Sequence, residues 1–387
     1  MSHSRLIIAL LATLSVFAPA ILAADDAKPN TLTKEQAASG WISLFDGETP
    51  FGWTIKGSSK IENGLLILGG KGASSPTTAS TNSEFSCFEL DFAYRGTGNA
   101  KLVLGDSSYD LKPAAEEATW TRSWTRIEQQ GEKFLIVSTT LPLTAKPTEI
   151  SDQLGALKEK PVRAAVSLEV PADATLVVRD VKLKPLSLKS VFNGKDLTGW
   201  KIIPDHPSKF TVTDKGELNI KNGSGDIQTE AQWADFVLQL DVFSNGSHLN
   251  SGVFFRARPG EFWSGYEAQI RNEWDGSSNN ADVNKKKEDR TKPFDIGTGG
   301  IYNRQPSRKV VSSDKEWFTY TILANGNHIA TWVNGYQTAD YFDKDKDAEN
   351  PRKGRFLGKG VISLQGHDPT TDLSFRNIKI QELPEKK

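Results

Sequence analysis

Residues 265–274 read GYEAQIRNEW. Tyr266, Ala268 and Ile270 alternate with Glu267, Gln269 and Arg271. Neighbouring side chains on a strand point to opposite faces, so the stretch predicts a strand with one apolar and one polar face. The same period of two recurs in FVLQLDVF (236–243), SGVFFRAR (251–258), FTYTILA (318–324), GVISLQGH (360–367) and DLSFRNIKI (372–380). Turn residues punctuate these runs, as in NGSHLNSG (245–252), ANGN (324–327) and VNG (333–335). Helical periodicity is confined to short turns at KEQAAS (34–39) and SDQLGALKEK (151–160). The expected fold class is all-β and antiparallel, of jelly-roll sandwich type.

The chain repeats itself. LFDGETPFGW (44–53) matches VFNGKDLTGW (191–200), and VVRDVKLKPL (177–186) parallels SFRNIKIQEL (374–383). WTRIEQQGEKFLIVSTT (124–140) parallels WFTYTILANGNHIATWV (317–333). With 387 residues, too many for one ordinary core, this predicts two tandem sandwiches, over 25–186 and 187–387, joined by a short link at KLKPLSLK (182–189). The second copy carries extra length between Asp241 and Trp317, which is read as including GYEAQIRNEW. Shared elements are read as scaffold and the unshared length as the place where chemistry is added.

Residues 1–24 read as a secretory signal: Arg5, an apolar run to about Leu22, then small residues at Ala20, Ala23 and Ala24. The run is short for a membrane span, so an exported protein with no anchor after cleavage is expected, periplasmic or extracellular. The single cysteine, Cys87, excludes an intramolecular disulfide. Lys plus Arg (47) balance Asp plus Glu (48), which gives no electrostatic reason for a nucleic-acid partner.

Three strands each offer a polar face. GYEAQIR gives Glu267 and Gln269, SGVFFRAR gives Arg256, and GVISLQGH gives Gln365 and His367. Brought to one side, they would set a carboxylate, a base and hydrogen-bonding amides around one cleft, the composition of a sugar site with proton-transfer capacity. Antiparallel sheets also wet one face with no site on it, and pattern alone leaves both readings open. Aromatics in GEFWSGY, Trp263 foremost, suit stacking on pyranose rings or packing of the loop.

In order along the second copy stand FNGKDLTGW (192–200), TE (229–230), NSGVFFR (250–256), GYEAQI (265–270), TGGIY (298–302), WVNG (332–335), LQGH (364–367) and FRNIKI (375–380). This series resembles the 3-keto-disaccharide hydrolase domain family, whose fold is similar to the concanavalin A-like lectin and glucanase jelly roll. The first copy keeps the FDG…GW opening and the VRDVKL ending but departs at every polar motif. The resemblance implies a hydrolase acting on 3-keto-disaccharides or 3-keto-glycosides. A C3 ketone acidifies the C2 hydrogen, so a base can remove it, the anomeric group leaves and water adds. On this reading Glu267 and His367 are the catalytic acid and base. Arg256 and Gln269 orient the substrate or stabilise the oxyanion, and Glu230, Tyr302, Gln365 and Trp263 line the cleft. An ordinary glycosidase would need two carboxylates, for which Glu267 and Glu230 are available. A non-catalytic carbohydrate-binding module and a cell-envelope interaction protein are the alternatives.

No cofactor is called for. A divalent metal on His367 with carboxylates is compatible with enolate chemistry, but no spacing demands it. DKDKDAENPRKG (343–354) imitates a calcium loop yet lacks its sixth-position Gly and twelfth-position Glu, and reads as a solvated turn. NKKKEDRTK (284–292) reads as a charged surface segment or lid.

Overall fold

The computed structural model describes residues 29–114, 116, 118–131, 133–143, 156–158, 163–277 and 287–385. The expected export signal, residues 1–24, lies outside them, as do 151–155 and 284–286. Among the described residues one α-helix forms, Lys34–Ala38, where Thr33 Oγ1 accepts from the Gln36 amide and Gln36 returns the bond. Residues 156–158, read above within a helical turn, instead pair as a strand with 134–136.

All else regular is antiparallel strand, as the alternation requires. An eight-stranded and a five-stranded sheet form from residues 42–185, and a second such pair from 189–382. The strand orders correspond one for one. The first five-stranded sheet runs Trp53–Lys56, Thr77–Phe85, Ala164–Val170, Ala100–Leu104, Ser107–Leu111. The second runs Trp200–Ile202, Gly225–Thr229, Val361–Gly366, Ser251–Ala257, Tyr266–Ile270. Tyr266–Ile270 therefore has a counterpart in Ser107–Leu111, and most of the extra length falls after it, between Ile270 and Trp317, with a shorter addition before it at residues 258–265. The expected link also shortens, because residues 182–185 pair with 88–91 and leave only 186–188 between strands.

Each pair of sheets closes on one apolar core, which makes it a sandwich. The second core joins Leu218, Leu240 and Phe375 of the large sheet to Val253, Ala268 and Leu364 of the small one. The first core extends beyond its own half: Val237, Leu323, Ala330 and Trp332 belong to it. Strand His328–Val333 is consequently buried along its whole length, where an exposed sheet face would wet every second residue. Trp332 packs on Phe85 and its Nε1 donates to the Ser43 carbonyl at 3.0 Å. Full burial of one large apolar side chain contributes about 1.5–3 kcal/mol, so apolar contact is one of the forces that hold the junction.

Candidate active site

In the second five-stranded sheet the four strands Gly225–Thr229, Ser251–Ala257, Tyr266–Ile270 and Val361–Gly366 are buried at every position. Most of their apolar residues fill the sandwich core, while Phe254, Ala257 and Val361 form a small cluster of their own. The other face is polar, and it is roofed rather than washed by water. Cross-strand pairing puts Asp226 opposite Gln365, Gln228 opposite Ser363, Gly252 opposite Gln269 and Phe254 opposite Glu267. Residues directly opposite or diagonal across strands are within side-chain reach.

Glu267 is 4 % exposed, and its Oε2 accepts from Arg352 Nη1 at 2.8 Å. Burial pushes this carboxyl up to about 7 against the opposing pull of Arg352, with Asp226 and Asp295 adding to the rise. Asp226 is fully buried, and burial holds it up to about 6 against the Trp263 amide, which donates to Oδ2 at 2.9 Å. Arg352 thus lies under the influence of two carboxyls that sit near the edge of ionisation. Its guanidinium lies 4.0 Å from the Trp263 ring centre, 5.0 Å from Tyr302 and 5.4 Å from Phe254. Among the described residues two buried amide oxygens on this face, Gln269 Oε1 and Gln365 Oε1, find no donor, and the Ser363 hydroxyl beside Asp226 pulls that carboxyl down against its burial. Such unpaired oxygens are costly unless water or a ligand satisfies them.

Local sequence explains the construction. A Cβ on Gly252 would fall 2.7 Å from Glu267 Cγ, so only glycine leaves room for the carboxyl. Gln228 anchors the aromatic loop: it accepts from the Gly260 amide at 2.9 Å and donates to the Glu261 carbonyl at 3.0 Å. TGGIY lies along the sheet edge, where Gln269 donates to the Gly300 carbonyl and Tyr302 to the Glu267 carbonyl. This covers the edge strand and sets Tyr302 beside Arg352. His367 lies at the rim, exposed. Its Nε2 meets Asn250 at 3.0 Å and its Nδ1 meets Asp368 at 2.9 Å, while Gln269 donates to Asn250 Oδ1 at 2.5 Å. The imidazole is therefore linked through Asn250 and Gln269 to the row that bears Glu267.

The structure brings together Glu267, Gln269, Gln365, Tyr302 and Trp263, with His367 at the edge. Two expected residues do not join them. Arg256 sits at a β-bulge between Phe254 and Ala257, which shifts the alternation read through SGVFFRAR and puts Ala257 with Phe254. All three of its side-chain nitrogens are engaged, by the Ala234, Gly326 and Phe356 carbonyls and by Asp235, so it holds backbone rather than substrate. Glu230 lies one residue past its strand and is exposed, 3.7 Å from Lys201; Asp226, of the same parity, takes the buried place. Asp226 could have been found by extending the alternation of GDIQTE to its start. Nothing local marks Arg352, which reaches Glu267 from a loop 85 residues away.

That loop is the solvated turn expected along Lys344–Asp347 and at Glu349 and Lys353, but not at its start or at Pro351 and Gly354, which are buried. Asp343 is buried and accepts from Tyr266 Oη at 2.6 Å, while Asp345 and Asp347 pair with Arg304 and Arg355. Among the described residues no group of three His, Cys, Asp or Glu could hold a metal ion, and no helix is long and apolar enough to cross a membrane. The charged segment that ends at Lys292 forms strand Asp289–Pro293 against Trp274–Asp275.

The first half lacks the site. Counting from Trp53 opposite Thr81 and Trp200 opposite Thr229, the places of Asp226, Gly252, Glu267 and Gln269 fall on Thr78, Lys101, Ser108 and Asp110. Lys101, Ser108 and Asp110 are exposed.

The model of the 3-keto-alpha-glucoside-1,2-lyase-like domain family matches residues 40–128 and 187–381. The chain belongs to this family. Both sandwiches of this family member are therefore matched, the first only in part. A candidate glycosyl hydrolase from Parabacteroides distasonis ATCC 8503 is similar at 24 % identity and a TM-score of 0.39, over 51 % of this chain and 94 % of that one. A carbohydrate binding module from Bacillus subtilis is similar at 14 % identity and a TM-score of 0.34, over 49 % and 99 %. None of the curated proteins compared matches the chain.

Proposed function

We propose that the second half of this family member cleaves glycosides oxidised at C3, 3-keto-disaccharides among them, by elimination across C1 and C2 followed by hydration. Family membership supports a carbohydrate-active function. The observation that carries the finer reading is Glu267, a carboxyl buried beside Arg352 and pushed up to about 7 by that burial, on a face where the Gln269 and Gln365 amide oxygens lack donors. A general base works best with a pKa near the operating pH.

In this scheme Glu267 removes the C2 proton and the electron pair moves into the C2–C3 bond and onto the C3 oxygen. Arg352 gives one nitrogen to Glu267, and its remaining N–H groups stabilise the enolate oxygen. As the C3 carbonyl re-forms, a C1–C2 double bond appears and the C1–O bond breaks. His367, poised by Asp368, supplies the proton to the departing oxygen and then takes one from the water that adds to C1, while Glu267 returns its proton to C2. Gln269 Oε1 and Gln365 Oε1 accept from sugar hydroxyls, and Trp263 stacks on the ring. The export expected from the N-terminal sequence places the reaction in the periplasm or outside the cell.

The test is Glu267→Gln assayed on a 3-keto-glucoside and on the parent glucoside. Wild type should act on the oxidised sugar alone, and the variant should lose about 100-fold or more in kcat. Undiminished turnover removes Glu267 from the mechanism. Binding of both sugars without turnover of either would identify a binding module.

A further inference from the structure

The residues described on the polar face belong to the second half, yet one residue of the first is linked to the loop that roofs it through Asp235 and Arg256. Arg163 crosses the junction between the halves. Its Nε is 3.1 Å from Glu84, its Nη1 donates to the Pro384 carbonyl, and its Nη2 donates to Asp235 Oδ2 at 2.6 Å and to Asn325 Oδ1. The other oxygen of Asp235 accepts from Arg256 Nη2 at 2.8 Å and from the Gly326 amide at 2.9 Å. Arg256, fully buried, passes Nη1 to the Phe356 carbonyl at 3.0 Å. The Phe356 amide donates to Tyr266 Oη, which donates in turn to Asp343. Asp343 and Phe356 flank the stretch of loop that carries Arg352, and Tyr266 precedes Glu267.

We propose that Arg163 is a positioning residue for the site in the other half: through Asp235 and Arg256 it fixes the 343–356 loop so that Arg352 lies over Glu267. The proposal rests on the reading of Glu267 given above. Asp235 is shared by two guanidinium groups, and its side chain is 22 % exposed whereas that of Arg256 is fully covered. Without Arg163 the carboxylate is free to turn toward water. Arg256 would then be a buried charge with a weakened partner, a costly arrangement. The loop relieves it by releasing the Phe356 carbonyl. Displacement of a catalytic group by about 1 Å can cost about 100-fold in rate, so a small loop movement is enough.

Arg163→Met removes the charge and keeps most of the stem; Arg163→Lys keeps the charge and loses the fork. In the full-length protein, tryptic cleavage at Lys344, Lys346, Arg352 and Lys353 reports the loop directly, with no substrate involved. Arg163→Met should speed that cleavage about tenfold or more, as local opening becomes cheaper. On a 3-keto-glucoside its kcat should fall about tenfold with KM little changed. The acidic limb of its pH profile should move to higher pH, because Glu267 loses the lowering influence of Arg352. Arg163→Lys should recover most of both. Unchanged cleavage and an unchanged limb in Arg163→Met, even with a lower unfolding midpoint, would overturn the proposal and leave Arg163 a junction contact only. If Arg163→Met does not fold, Glu84→Gln carries the test, with a smaller effect expected in the same direction and none overturning it. Should the wild type not turn over 3-keto-glucosides, the proteolysis still decides whether Arg163 holds the loop.

Discussion

Replacing Glu267 by Gln should stabilise the protein at alkaline pH even as it removes activity. The carboxyl is buried and pushed up to about 7, whereas its ordinary value is 4.5. Between those values the folded state retains a proton that the unfolded chain has released. Stability therefore falls as pH rises from about 4.5 to about 7, and above 7 the whole penalty is present. At about 1.4 kcal/mol per pH unit this amounts to about 3 kcal/mol. Asp226, raised by burial from 3.8 to about 6, contributes with the same sign over a lower window. Gln has nearly the same shape and no charge to desolvate. Its cost is that Arg352 loses its carboxylate, but that side chain is 14 % exposed and also stacked on Trp263. Turning toward water should cost it about 1 kcal/mol, the scale of an exposed ion pair. Relative to wild type the variant should be equal or slightly weaker at pH 5 and about 2 kcal/mol more stable at pH 8. Urea denaturation followed by tryptophan fluorescence at the two pH values measures this. A structural ion pair predicts the reverse, since removing one partner of a buried pair costs about 3–5 kcal/mol. A loss at pH 8 as large as that at pH 5 would refute the argument.

Gly252→Ala should lower kcat about 100-fold with a stability loss near 1 kcal/mol, because the new Cβ would lie 2.8 Å from Glu267 Oε1; steady-state kinetics beside thermal melts would show it. Trp263→Ala should raise KM about tenfold with kcat within a few-fold, the loss of one stacking platform; titration with substrate measures it, and a collapse of kcat alone would contradict it. Glu230→Gln should leave kcat/KM within about twofold, since its carboxylate faces solvent beside Lys201; a larger drop would return Glu230 to the mechanism.

Much of the fold was legible because alternation is a local property. The period of two in FVLQLDVF and YEAQIR marks strands, and the repeated FDG/FNG…GW openings mark equivalent places in two sandwiches. The polar row was legible for the same reason, through Glu267, Gln269 and Gln365. Arg256 shows the limit: a bulge inserts one residue, and every parity beyond it changes without altering the composition of SGVFFRAR. Glu230 shows another, because parity says nothing once the strand has ended. Arg352 was hidden by distance. Its loop reads as a run of charges, and the burial of Asp343 under Tyr266 depends on contacts 77 residues apart. Roofing of the polar face is likewise a tertiary fact, and it is what separates a site from an ordinary wet sheet.

The contrast between the halves turns on that roof. Both small sheets have the same strand order, so backbone geometry offers both the same platform. In the first half the positions of Gly252 and Glu267 hold Lys101 and Ser108, both exposed, and burial along those strands alternates. A carboxyl there would stay hydrated and titrate near its ordinary value, useless as a base at neutral pH. In the second half the aromatic loop and the Arg352 loop cover the sheet, and desolvation raises the carboxyl into a working range. The raised carboxyl therefore depends on the loops added to the platform, while the first half, through Phe85 on Trp332, packs on the large sheet of the second sandwich.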